Sequence, residues 1–175
     1  MKITLNMMDL ADISYSWKTI YTALLHDFIE VSEVEKYAFK VIESINYEDN
    51  EFINDLVWGG KEKEEIVNNM LEEKLVTNVI CFEEFELSKI KYTILFYLKN
   101  RYEGSNEELL RSIELVYADF GYPNDMSTFI YYMPTNDKIA STKEEREINM
   151  ISKFNKYLIQ LKNYIDINDI IERTI

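Results

Sequence analysis

The feature that most constrains this chain is how little interrupts it: 175 residues carry only four glycines and two prolines. Both residue types punctuate secondary structure, glycine by its permissive backbone and proline by its missing N–H. Where they are scarce, long unbroken segments are expected. The apolar residues recur at three-to-four spacing, the period of a helix with one buried face. Thirteen Tyr, nine Phe and two Trp are enough to fill a core without disulfide staples. The expected fold is therefore all-α, or predominantly α: a single compact multi-helix domain of about seven helices spanning residues 1–175.

The segments follow from the pattern. Residues 16–29 place Trp17, Ile20, Tyr21, Leu24, Leu25 and Phe28 on one face. Ser32 and Glu35 read as a capping box ahead of a helix carrying Val34, Tyr37, Ala38, Val41, Ile42 and Ile45. A third helix, around 50–58, carries Phe52, Ile53, Leu56 and Val57 and stops at Gly59-Gly60, where left-handed backbone is cheap only for glycine. The stretch "KEKEEIVNNMLEEKL" gives a fourth, burying Ile66, Val67, Met70, Leu71 and Leu75. Residues 76–82, "VTNVICF", are rich in β-branched side chains and are open to an extended conformation. A fifth helix runs through Leu87, Ile90, Ile94, Leu95 and Leu98 to Gly104. Ser105 and Glu108 read as a second capping box, opening a helix with Leu109, Leu110, Ile113, Val116, Tyr117 and Phe120 that ends at Gly121. Thr142 and Glu145 open the last long helix, near 142–165, with Ile148, Ile151, Phe154, Leu158, Leu161 and Ile165 as its stripe. No repeat of fixed period and no low-complexity linker marks a domain boundary.

Charge narrows the partners. Thirty-two acidic residues against nineteen basic ones leave a net charge of −13. Such a surface repels a nucleic-acid backbone and suits a basic protein partner, or simply solubility. One cysteine, Cys81, permits no intramolecular disulfide, which fits a reducing compartment. The start "MKITLNMMDLADIS" has one lysine and no long apolar run, so it reads as neither signal peptide nor membrane span. A cytoplasmic location is expected.

Asp119-Phe120-Gly121 spells the segment that holds magnesium in protein kinases, but its companions are missing. That chemistry needs a glycine-rich loop, a strand lysine and a His-Arg-Asp loop. The one histidine, His26, is followed directly by Asp27. Asp119 and Phe120 are therefore read as the last turn of a helix, Phe120 as core and Gly121 as its cap. One His and one Cys cannot build a zinc site alone. Cys81, between Ile80 and Phe82, reads as a buried inert thiol, and His26 as a surface or half-buried helix residue. Glu83, Glu84 and Glu86 lack the alternating ligands and glycine of a calcium loop and read as a solvated helix start. No catalytic, cofactor-binding or metal constellation is expected, and enzyme activity is not expected with it.

The least helix-like stretch is "GYPNDMSTFIYYMPTND", which holds both prolines. Tyr122-Pro123-Asn124-Asp125 is a turn in which proline fixes φ and Asn or Asp bonds its own backbone. Phe129, Ile130, Tyr131, Tyr132 and Met133 then form an apolar run ended by Pro134. The run suits a short buried segment, or a contact surface, because tyrosine buries area while keeping a polar tip. The candidate partner-binding residues are Asp119, Tyr122, Asp125, Tyr131 and Tyr132, with Glu144 and Glu145 as steering charges.

The run "VYADFGYPNDMSTFIYYMP", with "SWKTIYTALL" and "VSEVEKYAFKVIE", resembles a family of small bacterial proteins known as domain of unknown function twenty-two forty-seven. The resemblance covers most of the chain. It is sharpest at Tyr117, Asp119, Phe120, Tyr122, Pro123, Asp125 and Met126, then at Tyr132, Met133 and Pro134. It brings no catalytic residues. In size and acidity such proteins resemble the immunity proteins encoded beside polymorphic or contact-dependent toxins. The function this implies is direct neutralisation of a cognate toxin, for instance a nuclease with a basic groove. It calls for a basic protein partner and for no cofactor, nucleic acid or membrane. The sequence sets no oligomeric state. The rival readings are a small carboxylate- or metal-dependent enzyme and a helical interaction module without a toxin partner.

Overall fold

The computed structural model describes residues 1–44, 48–133 and 142–174; Ile45 and Pro134, named above, lie outside them. Among the described residues the protein is all-α, with eight α-helices and one 3-10 turn, seven of them seven residues or longer. No strand forms there; Ile3 and Ile29 make an isolated parallel bridge. The chain divides into two compact units, Lys2–Ile90 and Lys91–Ile175 with Met1.

The unit Lys2–Ile90 opens with a helix the apolar spacing did not reveal, α1 (Leu5–Leu10), whose N-cap Thr4 accepts from the Met7 N–H. The Leu5 N–H donates to the buried Glu33 carboxylate at 2.9 Å. Helix α2 (Trp17–Leu25) begins with a capping box, the Ser16 N–H donating to Thr19 Oγ1 at 3.0 Å. It buries Ile20, Tyr21 and Leu24 but leaves Leu25 exposed. Helix α3 (Val31–Ile42) does not start as expected. Glu30 is its N-cap and makes no side-chain bond, while Ser32 lies inside the first turn. The acidic residue that matters there is Glu33, turned inward to Leu5 and bonded to Lys36.

Helix α4 (Glu51–Val57) is capped by Asn50, whose side chain accepts from the Ile53 N–H at 2.9 Å, and packs on α3. It stops at Gly59 and Gly60, both with positive φ, as the sequence requires. Helix α5 (Lys63–Glu72) buries Ile66 and Met70 and leaves Leu71 exposed. Residues 76–82 are not an extended segment. Lys74 and Asn78 turn the chain with φ of 56° and 55°, Val76 is buried between them, and α6 (Val79–Arg101) begins at once. Packing overrides the β-branched preference here. Cys81 is exposed rather than buried, because successive helical residues point about 100° apart. Ile80 is 94 % exposed on the same turn that buries Phe82 and Phe85. Glu86 is likewise no solvated helix-start residue: it is fully buried.

In the unit Lys91–Ile175, the second half of α6 buries Tyr92, Ile94, Leu95 and Leu98. Gly104, with φ +87°, leads into α7 (Asn106–Asp119). Ser105 occupies the N-cap position, but its side chain makes no capping bond, so the second expected box is absent. Five residues of the expected α7 stripe, Leu109, Leu110, Ile113, Val116 and Tyr117, are buried, while the sixth, Phe120, is half-buried. A 3-10 turn, Asn124–Phe129, follows. Helix α8 (Lys143–Thr174) outlasts its expected end. Thr142 Oγ1 accepts from the Glu145 N–H at 3.1 Å, the cap the sequence implied. Its buried stripe runs Met150, Phe154, Leu158, Leu161, Ile165, leaving Ile148 exposed and Ile151 half-buried. No helix among the described residues is long and apolar enough to cross a membrane.

Candidate partner-binding surface

The site is built at the end of α7. The Tyr122 N–H donates to the Tyr117 carbonyl at 2.9 Å and the Gly121 N–H to the Ala118 carbonyl at 3.0 Å. This pair of bonds is the Schellman motif, with Gly121 in the left-handed conformation at φ +71°. Phe120 is the C-cap and is half-buried, not core, with Lys91 Nζ 5.9 Å from its ring centroid. Tyr122 is left-handed too, at φ +62°. Among the described residues, the other positive-φ residues besides glycine are Asp12, Asp27, Lys74 and Asn78. Asp and Asn tolerate that backbone, whereas Lys74 and Tyr122 hold it at a cost, larger for the bulky tyrosine.

The Tyr122 ring lies edge-on to buried Tyr117, with centroids 5.3 Å apart and planes at 82°. Tyr132 meets the same buried ring with centroids 6.4 Å apart and planes tilted at 58°. Tyr122 and Tyr132 remain 61 % and 58 % exposed. Two exposed rings thus share one buried ring as a backing. The Tyr132 phenol is pushed above the ordinary tyrosine value, first by desolvation, then by Tyr117, Tyr122 and Glu114. It therefore stays a neutral hydrogen-bond donor across the physiological range.

The carboxylates are committed to different places. Asp119 accepts from the Met1 ammonium at 2.8 Å. Asp125 anchors the 3-10 turn, its Oδ2 accepting from the Tyr157 hydroxyl at 2.7 Å and from Lys91 Nζ at 3.1 Å. Burial first, and the bond to Asp125 second, push the Tyr157 phenol far above its ordinary value. Tyr131 stands apart from Tyr122 and Tyr132 in its partners: Arg146 stacks on its ring at 4.3 Å and donates to its backbone carbonyl. It edges a groove of about 280 Å³ whose lining includes Glu107, Arg111, Glu114, Lys143 and Glu147. Glu144 and Glu145 are exposed in the first turn of α8, where the helix dipole favours acids.

Of the seven candidates, Tyr122 and Tyr132 are brought together around Tyr117; Asp125 and Tyr131 are held by residues the sequence reading did not name. Lys91, Tyr157 and Arg146 came without a signal, since none lies near its partner in a local motif. Tyr117 had one: it belongs to the α7 stripe and to the family-like run. Elsewhere, His26 is the exposed C-cap of α2, with Nε2 2.7 Å from Glu83 Oε1. Among the described residues no group of three or more His, Cys, Asp or Glu side chains could hold a metal ion.

The profile of one bacterial family, described as "Uncharacterized protein conserved in bacteria (DUF2247)", matches residues 5–162. The whole tyrosine cluster lies inside that match. No curated protein and no solved structure matches the chain.

Proposed function

The chain belongs to this bacterial family, DUF2247, and on that premise we propose that it is an immunity protein that binds and neutralises a cognate toxin in the cytoplasm of the producing cell. The observation that carries the reading is the pair of exposed rings, Tyr122 and Tyr132, set on Tyr117 at a strained helix end. Strain at a non-glycine residue persists where something other than stability keeps it. Exposed tyrosines on a firm backing are the anchors that interfaces use, because little side-chain entropy is lost on contact.

A net charge of −13 supplies the second half of the mechanism. A toxin that cuts nucleic acid holds phosphates in a basic groove. An acidic protein is drawn into that groove by long-range attraction, and its aromatic anchors then slow its release. Neutralisation by occupancy asks no chemistry of the inhibitor.

The test is co-expression with the product of the neighbouring gene, read as colony survival if that product is toxic and as co-purification. The parent chain is expected to rescue growth and to retain the toxin. The Tyr122→Ala, Tyr132→Ala double variant, with an unchanged helical circular dichroism spectrum, is expected to lose both. Failure of the parent to rescue or to retain the neighbouring gene product overturns the reading.

A further inference from the structure

We propose that the C-terminal half of α8 is a self-association surface, on which a second copy of this chain pairs antiparallel through Ile159, Tyr164, Ile167, Ile170 and Ile171. Each of these five side chains is between 46 % and 66 % exposed. At about 100° per residue they share an arc of about 140° on the helix surface, with Gln160 and Asn163 as the polar residues among them. Lys162, Asp166 and Asp169 all fall outside that arc, and Lys162 Nζ closes on Asp166 Oδ1 at 2.6 Å along the helix. A different face serves the core, where Phe154, Leu158, Leu161 and Ile165 are buried. Helix α8 therefore has two apolar faces, and the fold covers one. Local propensity does not ask for the other, since β-branched isoleucine forms exposed helix less well than alanine, lysine or glutamate.

Charge over the whole helix selects the occupant and its direction. Lys143–Thr174 carries six basic and six acidic residues, so α8 is neutral in a chain of net charge −13. A partner of either sign gains nothing here from attraction, whereas a second copy meets no net repulsion at the contact. The charges are also unevenly placed about Ile165, the midpoint of the exposed apolar stretch. Five basic and three acidic residues lie from Lys143 to Tyr164, and one basic and three acidic from Asp166 to Thr174. Two antiparallel copies set the first part, net positive, against the second, net negative; two parallel copies set like against like. Antiparallel pairing about Ile165 brings Ile159 of one copy level with Ile171 of the other, so the apolar faces overlap along their full length of about 18 Å. A lipid surface fits less well, because interfacial helices flank their apolar face with lysine and arginine, and Asp166 stands at this edge. Five side chains make a face smaller than the roughly 800 Å² per partner of a standard interface, so the pair is a weak one. The inference stands whether or not the tyrosine cluster contacts a toxin.

The experiment is sedimentation velocity on the full chain from about 5 µM to about 1 mM, at about 0.15 M salt, where charges more than about 8 Å apart are screened. A monomer–dimer transition is expected, with a midpoint on the order of 100 µM. Ile167→Glu, at the centre of the face, is expected to weaken the dimer about tenfold or more with an unchanged helical circular dichroism spectrum. Ile167→Ala, which strengthens the helix itself, is expected to weaken it about threefold. Ile148→Glu places the same charge at a similarly exposed isoleucine of α8 outside the face and is expected to dimerise like the parent, as is the Tyr122→Ala, Tyr132→Ala variant. Direction is read in a Cys81→Ser background. A mixture of Ile159→Cys and Ile171→Cys chains is expected to oxidise to the mixed disulfide about fivefold faster than to either like-with-like one. A chain that stays monomeric throughout overturns the inference. So does a dimer that both Ile167 variants leave intact, or one that either control variant abolishes. Faster like-with-like disulfides overturn the antiparallel arrangement. Flotation of a monomeric chain with phosphatidylglycerol vesicles would assign the face to lipid and overturns the inference as well.

Discussion

Glu86 and Asp125 each face a hydroxyl and an ammonium, yet one does so in the dry interior and the other at the water's edge. Glu86 is fully buried; its Oε2 accepts from the Thr19 hydroxyl at 2.7 Å and its Oε1 lies 3.4 Å from buried Lys89 Nζ. Asp125 keeps about half of its side chain exposed while accepting from Tyr157 and Lys91. The same chemistry has different consequences. In low dielectric the loss of one partner leaves a buried charge uncompensated, whereas at the surface water takes the partner's place. The first arrangement holds the unit Lys2–Ile90 together. The second fixes a turn that carries exposed side chains.

The largest expected effect tests the buried side of that contrast. Glu86→Ala is expected to cost about 3 kcal/mol or more in urea unfolding, since it strips the carboxylate from Lys89. A loss near 1 kcal/mol would place the network in contact with water. Next comes alkaline pH. Burial first, and Tyr15 second, push the Tyr37 phenol up to about 12. An unfolded tyrosine ionises near pH 10. The unfolded chain then holds fewer protons than the native one between these values, so the Tyr37 contribution to stability is constant below pH 10 and falls as pH rises toward 12. Tyr37→Phe is expected to remove about 2 kcal/mol of that decline. Tyr157 titrates in the same direction, and Asp125→Asn is expected to bring its phenol down.

Smaller effects sharpen the surface side. Tyr157→Phe removes one bond to a carboxylate that water still reaches, and is expected to cost about 1 kcal/mol with the fold intact. Thermal melts and the toxin-rescue assay together would show whether the turn or the whole unit depends on that bond. The least effect separates two helix starts. Ser16→Ala breaks a formed capping box and is expected to cost about 1 kcal/mol; Ser105→Ala removes no capping bond and is expected to stay within about 0.5 kcal/mol. Equal losses would mean that Ser105 caps α7 in solution.

These cases also mark what could be read from the chain. Gly59, Gly121 and the α7 stripe were legible because each rests on a local rule: a left-handed cap, or one face of one helix. The Ser32 and Ser105 boxes were not, because a matching residue pair says nothing of the N-cap's backbone and rotamer; Ser105 sits at ψ 85° and Glu30 takes the place given to Ser32. Cys81 was misplaced by its neighbours in sequence, which on a helix are not its neighbours in space. Helix α1 is six residues long, too short to show a period. In the site, Tyr122 and Asp125 were visible from turn chemistry. Lys91 and Tyr157 lie 34 and 32 residues from Asp125 and could be joined to it only by the fold.

Tyr122 leaves a last consequence, one of selection rather than structure. Its left-handed backbone would be relieved by glycine or asparagine, at the loss of the ring. Randomise that codon and two selections should diverge. Survivors of heat alone should enrich glycine and asparagine; survivors of the toxin should keep tyrosine or another aromatic. If the ring serves binding, as proposed, a chain without its partner would be free to let this codon drift toward glycine or asparagine.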